Sequence, residues 1–166
     1  SNMTYLGTAK VKEFGDNSRG TSANMMSSYS ESTTLDFLAN GAVKDGWIEY
    51  NETHLSRIYP KGSRVDSSNY NPAPAWAVGA QLVALNYQTK KDPFLMANIG
   101  KFRENGSCGY VLKPEYLRDA GPESPPVLLT VHIISGQQLP KPGSDNSGEI
   151  IDPYISLTIT GIPEDT

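Results

Sequence analysis

The run "SRIYP" at residues 56–60 places a guanidinium, a phenol and a chain-stopping proline within one short extended stretch. Read as a strand ended by Pro60, alternation puts Arg57 and Tyr59 on one face and Ile58 on the other. One face is then apolar and the other charged and aromatic, which burial inside a core does not call for. Arg57 either pairs with a surface carboxylate or holds an anion, and Tyr59 either packs as a core ring or walls a ligand. On residue types alone, the ion pair and the packed ring are the stronger readings.

Other reactive groups point less sharply. His54 lies in the helical stretch "YNETHL" and His132 in an apolar, β-branched run, so both read as structural residues. Cys108, between Ser107 and Gly109, reads as a small residue at the start of a buried strand rather than as a nucleophile. No G-x-S-x-G elbow occurs, which leaves a serine-hydrolase reading weak. The sequons at Asn51 and Asn105 would matter only in a secreted chain, and nothing else in the sequence speaks for secretion. "RVDSSNYNP", residues 64–72, is rich in turn formers and short polar side chains and reads as a shaped loop.

The elements that position these residues alternate in type. "YLGTAKVKEF" has strand character, and the polar "GDNSRGTSANMMSSYS" after it reads as a long loop. A helix is expected from "SYSESTTLDFLANG", with Ser30 or Ser32 as cap, Leu35 and Leu38 on one face and Gly41 as the stop. "WIEYNETHL" supplies a second helical turn before the strand "SRIYP". "QLVAL" suits a strand buried on both sides, and "CGYVLKP" a further short strand. Helices alternating with four strands predict an α/β fold. After the proline-rich, acidic "LRDAGPESPP", the runs "VLLTVHIISGQQL" and "DPYISLTITGI" read as strands of a second, all-β domain. Two strands cannot form a stable sandwich alone.

With 166 residues and 37% hydrophobic content, the chain can bury a core, and its 15 glycines and 12 prolines mark it as loop-rich. A formal net charge of −4 offers no overall reason to bind nucleic acid. One cysteine excludes an internal disulfide framework and fits a reducing compartment. No apolar run approaches the roughly 20 residues of a membrane span, and no signal sequence opens the chain. "SNM", residues 1–3, reads as a tag scar with a start methionine.

The set "SSYSE", "LSRIYPKGSRVDSSNYNPAPAWAVGAQLVALNYQT", "GKFRENGSCGYVLKP" and "HIISGQQLPKP" followed by "IIDPY" resembles eukaryotic phosphoinositide-specific phospholipase C. The resemblance runs from about Tyr5 onward, in family order. It implies that residues 4–119 are the second, or Y, half of a catalytic TIM (β/α)8 barrel. Residues 120–126 would then be a linker, and 127–166 the first strands of an all-β C2 sandwich. In such barrels ligands sit at the C-terminal ends of the strands. By resemblance, Arg57 binds a phosphate of the inositol ring, Tyr59 packs against the ring, and Ser28 of "SSYSE" donates a hydrogen bond to a ring phosphate. A guanidinium's fixed fork of donors matches phosphate oxygens, and a phenol face matches the less polar side of a sugar-like ring.

The resemblance also says what this chain does not carry. The family's two catalytic histidines and its active-site calcium ligands belong to the first, or X, half, so no catalytic residue is expected here. The whole enzyme would attack the phosphodiester with the inositol 2-hydroxyl under general acid–base catalysis and calcium stabilisation, then open the cyclic product with water. Phosphatidylinositol 4,5-bisphosphate would give diacylglycerol and inositol 1,4,5-trisphosphate, whereas the 166-residue chain alone is expected to be inactive. Leu35 matches a position of the family's membrane-inserting rim. Ser63 stands where family members commonly carry a large apolar residue, which weakens the expected insertion. In the C2 stretch "IIDP", Asp152 and the Ile150 carbonyl are candidate calcium ligands, with a plain Asp-Pro turn as the alternative. Expected partners are a phosphoinositide lipid, the membrane surface and the X half, at the cytoplasmic face of the plasma membrane. The alternative function is a catalytically inactive relative that binds inositol phosphates or membranes as a scaffold.

Overall fold

The computed structural model describes residues 7–8, 11, 14, 24–89, 91–118, 125–139, 151–162 and 165. The chain divides into two units, residues 1–123 with 160–166, and residues 124–159. In the first, a parallel sheet is built from β1 (Gly7–Thr8), β2 (Met25–Ser30), β3 (Leu55–Tyr59) and β4 (Leu82–Val83) in the order β1-β2-β3-β4. Strand neighbours in space are neighbours in sequence. Parallel crossovers share one hand, so an order that never reverses lays every connecting helix on the same face of the sheet. The other face is left open.

Local chemistry sets the helix boundaries. Ser30 closes β2, and its Oγ accepts the Thr33 amide at 3.2 Å, so α1 (Glu31–Leu38) starts at the next residue. Asn40 caps α2 (Gly41–Thr53) in the same way through the Val43 amide. Gly41 therefore opens a second helix where the sequence led us to expect only the end of the first. α3 (Ala73–Ala77) follows Pro72, and α4 (Pro93–Lys101) starts at Asp92, whose carboxylate accepts the Phe94 and Leu95 amides. Short 3₁₀ turns cover Phe102–Asn105 and Glu115–Leu117.

The helix-covered face carries the core. Tyr29 and Ile58 point into it from the sheet and meet Trp47 and Tyr50 of α2, Ala75 of α3, and Val78. Phe14, Tyr29, Phe37 and Trp47 form an aromatic cluster with ring centroids 5.2–6.2 Å apart. Burial pushes the Tyr29 phenol up to about 12. His54 is buried and stacks on Tyr50 with ring centroids 4.4 Å apart.

Four strands were expected and four are present in the first unit, but they are not the same four. β2 falls in what read as the end of a polar loop. "QLVAL" contributes only Leu82 and Val83, and Leu82 is 43% exposed because the face it shares with Arg57 is open. "CGYVLKP" is not a strand. Gly106, Ser107 and Gly109 all have positive φ, which curls the chain instead of extending it, and Cys108 is exposed rather than a core residue. Leu35 and Leu38 also part company. Leu38 packs against the core, while Leu35 is 57% exposed.

No strand forms among the described residues of 125–139 and 151–162, contrary to the reading of 127–139 and 152–162 as β-strands. Val127, Leu128 and Ile134 are each about nine-tenths exposed, and His132 is exposed too. Extended backbone without a neighbouring ladder satisfies its amides with water, and a lone pair of strands has no second layer to cover its apolar side.

Candidate functional site

The open face of the sheet carries the residues of interest. Ser28 of β2 is the register partner of Arg57 of β3, and Ser30 is the partner of Tyr59. Partners on adjacent parallel strands project to the same side, about 4.8 Å apart. Ser28, Arg57 and Tyr59 thus share one face near the C-terminal ends of β2 and β3, while Ser27, Tyr29, Ser56 and Ile58 alternate into the core. The Arg57 guanidinium carbon lies 5.5 Å from the Tyr59 ring centroid, and both side chains are exposed. Among the described residues, Arg57 has no carboxylate partner for the ion pair favoured by residue type alone.

A second arginine, seven residues on, behaves in the opposite way. Arg64 forks onto Glu31 through Nε at 2.7 Å and Nη2 at 2.6 Å, and its Nη1 donates to Ser68 Oγ at 3.0 Å. Glu31 also accepts the Lys61 amide at 3.3 Å. The Arg64 guanidinium holds the Glu31 carboxyl below the usual carboxylate range against the opposing effect of burial, and the Lys61 amide helps. The carboxylate in turn raises Arg64.

The rest of "RVDSSNYNP" is the shaped loop that its composition predicts. Asn69 and Asn86 bond reciprocally, Nδ2 donating to the Asn86 carbonyl at 3.0 Å and Oδ1 accepting the Asn86 amide at 2.6 Å. Tyr70 donates to the Ala84 carbonyl at 3.0 Å, and burial raises its phenol. Asp66 accepts from the Ser68 amide and hydroxyl, bonds that lower its carboxyl. Asn69 and Tyr70 stitch the β3–α3 loop to the segment after β4.

Sequence reasoning did not find Glu31 and Arg64 as a pair. They lie 33 positions apart, and no local spacing announces their meeting. The expected rim residues are exposed: Leu35 on α1 and Ser63 on the β3–α3 loop, with Val65 beside it 91% exposed. Among the described residues no three His, Cys, Asp or Glu side chains converge to hold a metal ion; Asp152 stands exposed in the second unit, and Ile150 lies outside the described residues. No helix of the described residues is long and apolar enough to cross a membrane.

Comparison with known proteins shows what this arrangement belongs to. The family model "Phosphatidylinositol-specific phospholipase C, Y domain" matches residues 1–116. The chain belongs to that family. The Rattus norvegicus protein named 1-phosphatidylinositol 4,5-bisphosphate phosphodiesterase delta-1 is 45% identical over 166 residues, covering 92% of this chain and 21% of the relative. A Homo sapiens relative named inactive phospholipase C-like protein 2 is 46% identical over 133 residues, covering 72% of this chain and 12% of its own length. A crystal structure of PLC21 from L. pealei superposes with a TM-score of 0.64 at 41% identity, covering 69% of this chain and 14% of that one. This phospholipase C Y-domain chain thus spans about a fifth or less of the length of these relatives, one of which is named a phosphodiesterase and another inactive.

Proposed function

We propose that this chain is the Y half of a phospholipase C barrel, gripping the phosphorylated inositol ring for a full-length enzyme that hydrolyses phosphatidylinositol 4,5-bisphosphate. The observation that carries the reading is the exposed Arg57 guanidinium, opposite Ser28 in register, beside Tyr59, and without a carboxylate partner among the described residues. A cation left unneutralised at a strand end is poised for an anionic ligand. The sequential parallel strand order, with helices on one face, supports a barrel arc. Ser28 then donates to a ring phosphate and Tyr59 walls the ring. The acid, the base and the calcium ligands come from outside this chain, and residues 127–166 become C2 strands once the rest of that sandwich covers them. Exposed Leu35 supports a membrane-facing rim, and Ser63 and Val65 lie on the β3–α3 loop. The setting that follows is the cytoplasmic face of the plasma membrane.

In the full-length protein, Arg57→Ala is expected to lower kcat/KM on the bisphosphorylated lipid far more than on plain phosphatidylinositol. Charge-assisted hydrogen bonds of about 1.5–3 kcal/mol correspond to a narrowing of selectivity by roughly ten- to hundredfold. Tyr59→Ala removes a wall common to every inositol ring and is expected to depress both lipids alike. An equal loss on both lipids for Arg57→Ala would mean that the arginine supports the fold and not the ligand. The second reading, an inactive scaffold, is favoured by the 46% identity to inactive phospholipase C-like protein 2. It predicts inositol phosphate binding without turnover by the full-length protein.

A further inference from the structure

The ladder between β2 and β3 ends where the ligand-facing residues lie. Past Ser30 the chain turns into α1, and past Tyr59 comes Pro60, which has no amide hydrogen to donate. Two strands whose pairing stops there are free to fray at the end that must hold Ser28 and Arg57 at a fixed spacing. The Glu31 carboxylate occupies that gap. It is the first residue of α1, and it takes the Lys61 amide and both forked bonds of Arg64. Glu31 joins the end of β2 and Arg64 joins the loop after β3, so the pair extends the ladder by side chains where backbone pairing has run out.

Burial and geometry separate this pair from a surface contact. The Glu31 and Arg64 side chains are 7% and 20% exposed, and each of the three Arg64 nitrogens has a protein partner. Exposed single-bond ion pairs contribute little, whereas forked, largely buried ones fix geometry. A carboxylate at a helix N-terminus also lies at the favourable end of the α1 dipole.

We propose that Glu31 and Arg64 are positioning residues, a clamp that holds the C-terminal ends of β2 and β3 together so that Ser28 and Arg57 meet a ring phosphate at one set spacing. Neither residue touches the ligand. The proposal rests on the reading of Arg57 as a phosphate grip. It makes Arg64 inexchangeable with lysine, since a single ammonium cannot reproduce the fork.

The test is calorimetric binding of inositol 1,4,5-trisphosphate to the full-length protein at a temperature where every variant is folded, with the thermal midpoint recorded beside each affinity. Arg64→Lys and Glu31→Gln are expected to weaken binding about tenfold or more, because misplacing a preorganised group by a fraction of an ångström to 1 Å costs on this scale. Gln81→Ala is the control for general loosening, since Gln81 braces the opposite end of β3 through the Ser56 amide and the Asn51 and His54 carbonyls. It is expected to lower the midpoint and leave the affinity within about twofold. If Arg64→Lys binds as tightly as the parent while Arg57→Ala binds weakly, the clamp is refuted and the phosphate-grip reading stands. If Arg57→Ala also binds as the parent does, both are refuted. A weakening at Arg64→Lys no larger than at an equally destabilised Gln81→Ala makes the pair merely structural. Should Glu31→Gln fail to fold, Arg64→Lys alone decides.

Discussion

Arg57 and Arg64 show how one residue type divides its labour within eight positions. One guanidinium stands exposed beside a phenol, and the other is forked onto a buried carboxylate. The difference lies in what stands opposite: Ser28 opposite the first, Glu31 opposite the second. Glu31 also ties stability to pH. Its carboxyl is held below the usual range in the folded chain, so the unfolded chain binds the proton more readily. The stability it supplies is present in full above the ordinary glutamate value of about 4.3 and is lost as pH falls through the lower folded value. Glu31→Gln is expected to be less stable than the parent at pH 7, with the difference shrinking as pH drops below about 4. Denaturant midpoints measured from pH 7 to pH 3 check this, and a gap that stays constant across the range would rule out the charge as the cause. Residue types told the sequence reader that Arg57 faces out, because alternation around Ile58 is a local signal. The Glu31–Arg64 pair was invisible for the opposite reason: only the fold brings the two together.

At the level of elements, β3 was legible and β2 was not, although they pair along most of their length. "LSRIY" announces itself by alternation. "MMSSYS" hides because only one of the two residues it buries, Tyr29, is apolar, the other being Ser27, and its β3 neighbour also buries a serine, Ser56. Ser27 is fully buried and within 3.0 Å of the Tyr50 hydroxyl, and Ser56 Oγ accepts the Trp47 indole N–H at 3.1 Å. A buried hydroxyl satisfied by a helix side chain costs little, yet its hydropathy reads as a loop. "QLVAL" misled in reverse, since its apolar run suits burial on both faces while one face of this sheet is open. The helix-covered face makes its own prediction. Gln81 satisfies one amide and two carbonyls where α2 hands over to β3, and Asn51 donates to the Val78 carbonyl at 2.7 Å close by. Gln81→Ala removes the three hydrogen bonds that the side chain makes at this junction, so a loss of about 1–3 kcal/mol is expected. Ile58→Ala, at a fully buried position, is expected to cost about 2–5 kcal/mol. Chemical denaturation of the full-length protein reads both, and a loss below about 0.5 kcal/mol at Gln81 would mean that water replaces the side chain there.

On the scale of the whole molecule, the one-sided sheet is the dominant fact. Helices cover one face, and on the other Leu55 and Leu82 line a cavity of about 610 Å³ that is also lined by Trp76, Phe102, residues 109–114 and Leu117. The sheet ends in strands of two residues, β1 and β4, which offer short edges for further pairing. In the second unit, Val127, Leu128 and Ile134 add apolar area that no other described residue of that unit covers. Apolar surface left in water carries a cost of about 25 cal/mol per Å², so such faces recruit a cover when one is supplied. The relatives are much longer, this chain spanning only 21% of the delta-1 protein's length. The 166-residue chain on its own is therefore expected to bind a hydrophobic dye such as ANS and to release no inositol phosphate from bisphosphorylated lipid, with or without calcium. Co-expression with the remaining part of its full-length protein is expected to lower dye binding sharply as the open face is covered. Turnover should appear in the same complex if the protein is an enzyme, and ligand binding without turnover if it is a scaffold. Dye fluorescence per chain, before and after complex formation, is the measurement. A purified isolated chain that stays dark with dye has already closed its open face, and the barrel-arc reading would then have to give way to a self-contained sheet.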